Sequence, residues 1–171
     1  GSLNPLDTTG YFVRQHYLDF LGREPDEAGF NFWLNNILSC GGDASCLEVR
    51  RINTSAAYFL SIEFQQTGYL VYRMYKTAYG DIPGAPVPVR FNEFMPDTSE
   101  IGKGVIVNRA GWEQVLEHNK QSFADAFVAR ARFTDRYGSM SEVRFVNTLN
   151  QNAGGVLTAS ERDELVASLA S

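Results

Sequence analysis

The chain has few residues of the kinds that catalytic and metal sites use most often. It contains two cysteines and two histidines in 171 residues, with no His-Glu-x-x-His pair and no Gly-x-Ser-x-Gly elbow. It has no basic tract, and its net charge of −5 argues against nucleic acid and anionic membranes as partners. No apolar run approaches the ~20 residues of a membrane span. These absences disfavour a nucleic-acid-binding protein, a membrane-spanning protein and an enzyme.

Apolar residues spaced three and four apart run through most of the chain, which is the pattern of amphipathic helices. Apolar residues make up 44% and aromatic residues 13% of the sequence, which is ordinary for a globular protein with an aromatic-rich core. The pattern therefore predicts an all-α fold, and a chain of 171 residues can bury most of its apolar surface in one or two cores.

The first helical pattern recurs later in the chain. Displacements of 58 and 133 positions align Val13 with Val71, Tyr17 with Tyr75, Gly22 with Gly80, Phe12 with Phe145 and Gly22 with Gly155. Residues 57–64 match residues 126–133 in the same way, and Trp33 is paired with Trp112. Because each first helix closes on a glycine, which suits the left-handed position past a helix end, the matches predict a repeated helical unit.

We therefore predict a single helical domain over residues 1–171. It is expected to contain two helical repeats and a truncated third, over about 9–68, 69–138 and 141–169, with one long irregular loop. Gly1-Ser2 is expected to be a cloning remnant, and the chain a domain excised from a longer exported protein without its signal peptide.

Glycine, proline and capping residues predict where the helices begin and end. The predicted helices cover 9–21, 27–38, 46–53, a segment capped by Ser55, 69–79, 89–95, 111–137 as one long or broken helix, 141–152 and 159–169. Asp26 is expected to cap the second of these, and Pro96 to end the helix that begins at 89. Residues 102–107 are the only β-like segment.

The stretch from Asp81 to Asn108 is predicted to be largely irregular, and irregular segments of that length are usually functional or disordered. Its apolar side chains are candidates for contact with a protein partner: Phe91, Phe94, Met95, Val105 and Ile106. The alternative is that these side chains cover the core of the second repeat.

Cys40 and Cys46 are separated by five residues, two of which are glycines. The spacing favours a disulfide that closes a small loop, which requires an oxidising compartment. Two free thiols in a cytosolic protein, or a metal site, are the alternatives; a metal site needs about four ligands, and neither His16 nor His118 lies nearby in sequence.

Candidate catalytic residues are few. His16 lies on the apolar stripe of the first helix, and the aligned positions are Met74 and Leu149, so a packed core histidine is the favoured interpretation. His118 is expected at the surface. No residue is assigned a catalytic, cofactor-binding or metal-binding role.

One sequence resemblance gives these patterns a context. The motif Phe12-Val-Arg-Gln-x-Tyr17, Leu21-Gly-Arg-Glu-Pro-Asp26 and Trp33, followed by Ser61-Ile-Glu-Phe64, resembles the bacterial domain-of-unknown-function family 4214. It is more distantly similar to the linker domains of phycobilisomes. The resemblance implies a helical domain appended to a secreted or cell-surface bacterial protein, and it supplies no catalytic residue.

Three classes of function stay open at this point. The leading hypothesis is a non-catalytic interaction or scaffold module, extracellular or at the cell surface, that binds a protein or a cell-surface glycan. The second is a glycan-binding module that uses exposed aromatic side chains such as Tyr11, Tyr69 or Trp112. The third and least favoured is an enzyme.

Overall fold

The computed structural model describes residue 4 and residues 7–170 of the chain, so the prediction for Gly1-Ser2 lies outside the described residues. Every regular element in the described part is a helix, which confirms the predicted all-α fold. The helices are α1 (Thr9–Leu21), α2 (Glu27–Leu38), α3 (Ala44–Leu60), α4 (Ile62–Gln66), α5 (Gly68–Tyr79), α6 (Phe91–Gly102), α7 (Trp112–Val128), α8 (Ala131–Tyr137), α9 (Glu142–Asn152) and α10 (Ala159–Leu169).

Two clusters of buried side chains hold the helices together, and both are rich in aromatic residues as the composition predicts. The first cluster lies among α1–α4 and contains Val13, Tyr17, Leu21, Ile37, Tyr58 and Phe64. The second lies among α5–α8 and the segments flanking α6, and contains Val71, Tyr75, Ala78, Tyr79, Val89, Ile101, Val105, Leu116, Phe123 and Phe127. Phe94 of α6 packs against both clusters. Helix α6 also contacts α1, so it joins the helices of the two clusters. Helix α9 packs on α5, and α10 packs on α9.

Local capping interactions explain the boundaries of α1, α2 and α5. Asp26 begins α2, where its carboxylate accepts a hydrogen bond from the amide of Gly29. Gly22 ends α1 at φ 64° and Gly80 ends α5 at φ 72°, conformations that glycine adopts without steric cost. These boundaries agree with those predicted from the sequence.

Helix α3 differs from the prediction, because it runs unbroken through the expected boundary at Ser55. The Ser55 hydroxyl caps no helix and instead donates to the carbonyl of Arg51 one turn earlier. On the inner side of α3, Thr54 and Tyr58 are buried against the first cluster. Burial of this face stabilises the helix through a segment whose local sequence reads as a helix start.

The segment from 81 to 108 also differs from the prediction, since α6 occupies its middle and continues past Pro96. Proline removes one backbone hydrogen bond and costs about 3 kcal/mol inside a helix. The turn that follows it places Asp97, Thr98 and Ile101 in the interior, and their burial offsets that cost. Residues 102–107 form no strand; α6 ends there, and Val105 is buried in the second cluster.

The first four helices and the next four have similar lengths in the same order. Helices α1–α4 have 13, 12, 17 and 5 residues, and α5–α8 have 12, 12, 17 and 7. Val13 and Val71 are both fully buried, and so are Tyr17 and Tyr75 to within a few per cent.

No described helix combines the length and apolar character that crossing a membrane requires.

Candidate functional site

Cys40 and Cys46 form a disulfide, which confirms the predicted pairing. Cys40 lies in the turn that follows α2, and Cys46 lies in the first turn of α3. Their Cα atoms are 5.6 Å apart, and Asp43 between them caps α3 by accepting from the amide of Cys46. The bridge therefore ties the beginning of α3 to the end of α2.

We expect thiol titration of the unfolded, unreduced chain to find no free thiol. Reduction, or replacement of both Cys40 and Cys46 by serine, should lower the free energy of unfolding by about 2 kcal/mol, because the open loop gains conformational entropy in the unfolded chain. Urea titrations with and without reductant measure this difference. Two titratable thiols in the unreduced protein would contradict the pairing.

The outer face of α3 carries an unbroken row of exposed apolar side chains. This row, the α3 stripe, consists of Val49, Ile52, Ala56, Phe59 and Leu60. Ile52 is 60% exposed and Leu60 is 71% exposed. The spacing of three and four residues places all five on one side of the helix, opposite the buried Thr54 and Tyr58. Helix α3 is thus apolar on two opposite faces, of which only one is covered.

Helix α7 provides a comparison within the molecule. It has the same 17-residue length as α3, and it buries Leu116, Phe123 and Phe127 on its inner side. If residues 57–64 are aligned with 126–133 as the sequence predicts, Val49, Ile52 and Ala56 fall on the exposed, polar His118, Gln121 and Asp125, while Phe59 falls on the exposed Val128. Helix α7 therefore packs with polar side chains at three of these exposed positions.

His16 is half-buried and packs among aromatic rings, as the sequence predicts. Its Nδ1 lies 2.8 Å from the carbonyl oxygen of Phe12, and its Nε2 lies 2.7 Å from the hydroxyl of Ser55 on α3. Burial lowers the pKa of the His16 imidazole below its ordinary value. These contacts fix α3 against α1, which is a structural role. His118 is exposed, as predicted.

A cleft of about 360 Å³, the aromatic cleft, opens beside the first cluster. Tyr17, Trp33 and Tyr58 line it, together with the ion pair of Arg23 and Glu63, whose Nη2 and Oε2 atoms are 2.9 Å apart. The segment 106–108 closes one side, with Asn108 in the left-handed conformation at φ 71°. The Tyr58 hydroxyl is buried beside the cleft, and burial raises the pKa of this phenol.

The five apolar residues predicted to contact a partner do not share one surface. Val105 is fully buried, and Phe94 lies between the two clusters, so both act in the core. Met95 is half-buried, and the half-buried Ile106 lines the aromatic cleft. Phe91 alone is widely exposed, at 69%. Phe94 and Val105 therefore cover the core, which is the alternative role considered for this segment in the sequence analysis.

The aromatic residues predicted as a sugar platform are also dispersed. Tyr11 is half-buried, and Trp112 packs against the second cluster at the start of α7. Tyr69 is partly exposed, and its ring stacks on Tyr72 with an interplanar angle of 13° and 6.2 Å between centroids. Trp33 lies in the middle of α2, so it does not occupy the same place as Trp112.

Among the described residues, no group of three or more His, Cys, Asp or Glu side chains could hold a metal ion.

Comparisons of the chain with models of protein families, with curated proteins and with solved structures find no significant match. The resemblance to family 4214 therefore stays a hypothesis that rests on the motif alone.

Proposed function

We propose that the chain is a non-catalytic interaction module of an exported bacterial protein, and that the α3 stripe binds an apolar surface of a protein partner. The observation that carries this proposal is the exposure of five apolar side chains in one row on α3. Contiguous exposed apolar surface of this kind marks a site of protein interaction more often than it serves the fold.

The comparison between α3 and α7 supports a functional origin of the stripe. We infer that α1–α4 and α5–α8 are two copies of one four-helix unit, and that α9–α10 begin a third. In that register, Leu47, Thr54 and Tyr58 of α3 correspond to Leu116, Phe123 and Phe127 of α7, and all six face a core. The inner faces agree, while three outer positions that are apolar in α3 are polar in α7 and only the Phe59 position stays apolar, as Val128, so the continuous apolar row is a property of α3 and not of α7.

A protein fits the stripe better than a polar ligand does. The stripe contains no charged side chain, and from Val49 to Leu60 it extends about 17 Å along the helix at 1.5 Å per residue. The large side chains Ile52, Phe59 and Leu60 are the candidates for the anchors that dominate binding energy. The disulfide at one end and the Ser61 cap of α4 at the other hold the helix in place before binding.

Export is the proposed location because a disulfide in so short a loop persists in an oxidising compartment. The resemblance to family 4214 supports the same location.

We expect Ile52→Glu to reduce binding of the fluorescently labelled chain to intact cells of the bacterium that produces it, by about tenfold or more. The reason is that a carboxylate in an apolar contact must be desolvated without a partner. Because the Ile52 side chain is mostly exposed, the thermal midpoint of unfolding should not fall. Flow cytometry measures the binding, and circular dichroism measures the midpoint.

The matched control is Gln121→Glu, which adds the same charge at the corresponding position of α7. It should bind as the unmodified chain does. Pretreatment of the cells with protease should abolish binding, whereas periodate should not. Equal binding by Ile52→Glu and the unmodified chain would contradict the assignment of the α3 stripe.

Glycan binding is the second candidate, and the aromatic cleft favours it. Aromatic rings next to polar groups such as the Asn108 side chain are the usual surroundings of a bound sugar, and a volume of about 360 Å³ lies within the range of small-ligand sites. Loss of cell binding after periodate treatment, with protease having no effect, would favour this function over protein binding.

A further inference from the structure

A second cleft, the arginine cleft, lies in the other half of the molecule, where α5 ends and α6 begins. Its volume is about 620 Å³. Its lining includes the side chains of Tyr79, Asp81, Arg90, Glu93, Arg132 and Arg136. The cleft therefore combines three guanidinium groups with two carboxylates in a protein whose net charge is −5.

The carboxylates of this cleft already have ion-pair partners, whereas two of the arginines pair with no carboxylate of the described residues, and one of these, Arg136, contacts the Tyr137 side chain instead. Asp81 pairs with Lys76 at 2.7 Å, and Glu93 pairs with Arg132 at 3.1 Å. Within the described part of the chain, Arg90 has no hydrogen-bond or ion-pair partner for its side chain, and Arg136 pairs with no carboxylate. The positive charge of the cleft is thus only partly neutralised.

Arg90 also occupies an unfavourable position for a cation. It is the residue that precedes α6, where the helix dipole is positive, and no side chain caps this end of the helix. In the corresponding helix α2, which has the same 12-residue length, the preceding residue is Asp26, whose carboxylate caps the helix. The register agrees along both helices, since Ile37 and Ile101 are both fully buried. Helix α6 therefore lacks the carboxylate that its counterpart carries.

The Tyr79 hydroxyl is a further donor without an acceptor. Tyr79 is 9% exposed, lines the cleft, and has no hydrogen-bond partner for its hydroxyl among the described residues. An unpaired buried hydroxyl destabilises a fold unless something else satisfies it. Burial raises the pKa of this phenol, so it stays protonated and able to donate. The guanidinium of Arg132 lies 3.9 Å from the centre of the Tyr79 ring and covers it.

We infer that the arginine cleft binds the oxyanion of a small acidic ligand, such as the carboxylate of an acidic sugar, at the beginning of α6. The oxyanion lies at the same end of α6 as the Asp26 carboxylate does at α2, and it accepts from the amides of Phe91 and Asn92, because the Glu93 amide already donates to the Arg90 carbonyl at 3.0 Å. Arg90 and Arg136 neutralise its charge, because a guanidinium can donate two parallel hydrogen bonds to a carboxylate. The oxyanion competes with Glu93 for the Arg132 guanidinium. As Arg132 turns toward the oxyanion, the Tyr79 hydroxyl gains the oxyanion as an acceptor.

Titration of the ¹⁵N-labelled chain with sodium glucuronate tests this inference, with the amides of Phe91, Asn92 and Glu93 as reporters. We expect saturable shifts of these amides with glucuronate and none with glucose. Arg90→Gln and Arg136→Gln should each weaken binding about tenfold, because each removes a charged hydrogen-bond donor. Tyr79→Phe should weaken binding while its melting temperature stays equal to or above that of the unmodified chain.

Arg144→Gln is the matched control, since it removes one exposed arginine outside the cleft, on α9. Its affinity should equal that of the unmodified chain. Parallel titrations with sodium sulfate and sodium phosphate identify the oxyanion, and saturable, Arg90-dependent shifts with any of the three anions support the site. Shifts that do not saturate, that miss the first turn of α6, or that persist in Arg90→Gln would overturn it.

Discussion

Replacing Arg130 with methionine is expected to lower the free energy of unfolding by about 3 kcal/mol, because it leaves a buried carboxylate without its partner. The Arg130 guanidinium donates to both oxygens of Asp97, each at 2.8 Å, and the Tyr75 hydroxyl donates to the same carboxylate at 2.9 Å. The Asp97 side chain is only 10% exposed. Since the Arg130 side chain is 33% exposed, the expected loss lies at the lower end of the range for buried pairs.

Urea denaturation measures this loss, and a double variant separates its cause. Arg130→Met combined with Asp97→Asn should be more stable than Arg130→Met alone, because the neutral amide removes the buried charge while still accepting from Tyr75. As a surface control, Arg14→Met breaks the exposed pair with Glu24 and should change stability little. Equal stability of the single and double variants would refute the role assigned to the Asp97 charge.

Phe127→Ala is expected to cost about 4 kcal/mol, because it opens a cavity at the centre of the second cluster. The Phe127 side chain is 2% exposed. Its ring packs against the rings of Tyr75, Tyr79, Phe123 and Phe133, with centroids 5.2–6.0 Å away. The same urea titration measures the loss.

Two further substitutions bracket the effect of Phe127→Ala. Phe127→Leu retains most of the apolar volume and should cost less than half as much. Phe91→Ala removes the same side chain from an exposed position and should have little effect. A loss from Phe127→Ala no larger than that from Phe91→Ala would contradict the description of the second cluster.

The sequence predicts most accurately where residues near in sequence determine the structure. Helices α1, α2 and α5 begin and end as predicted, because Gly22, Asp26 and Gly80 act on the backbone within a few residues of themselves. The disulfide is likewise local, since two glycines and a short loop suffice to bring Cys40 and Cys46 together. Apolar periodicity predicts the all-α class for the same reason.

The predictions fail where burial against distant residues outweighs a local signal. The spacing of Val49, Ile52, Ala56 and Phe59 is visible in the sequence, but a helix boundary at Ser55 divides the segment, so the sequence alone does not predict the α3 stripe. Pro96 is a strong local stop signal, yet α6 continues because its following turn enters the core.

Neither cleft could have been predicted from the sequence. The arginine cleft brings together Tyr79, Arg90 and Arg136, and no sequence motif links them. Arg136 lies more than 40 residues after Arg90 in the sequence. The unpaired state of Arg90 and of the Tyr79 hydroxyl depends on the positions of all their neighbours. Only the packing of α8 against the end of α5 and the beginning of α6 reveals it.

The most direct test of the central claim is photo-crosslinking from the α3 stripe. A photoreactive phenylalanine analogue placed at Ile52, and separately at Gln121, is irradiated on intact cells of the organism that produces the chain, and the adducts are identified by mass spectrometry. The proposal predicts an adduct with one protein from position 52 and none from position 121. No adduct from position 52, or the same set of adducts from both positions, would contradict the claim that the α3 stripe is the interaction surface.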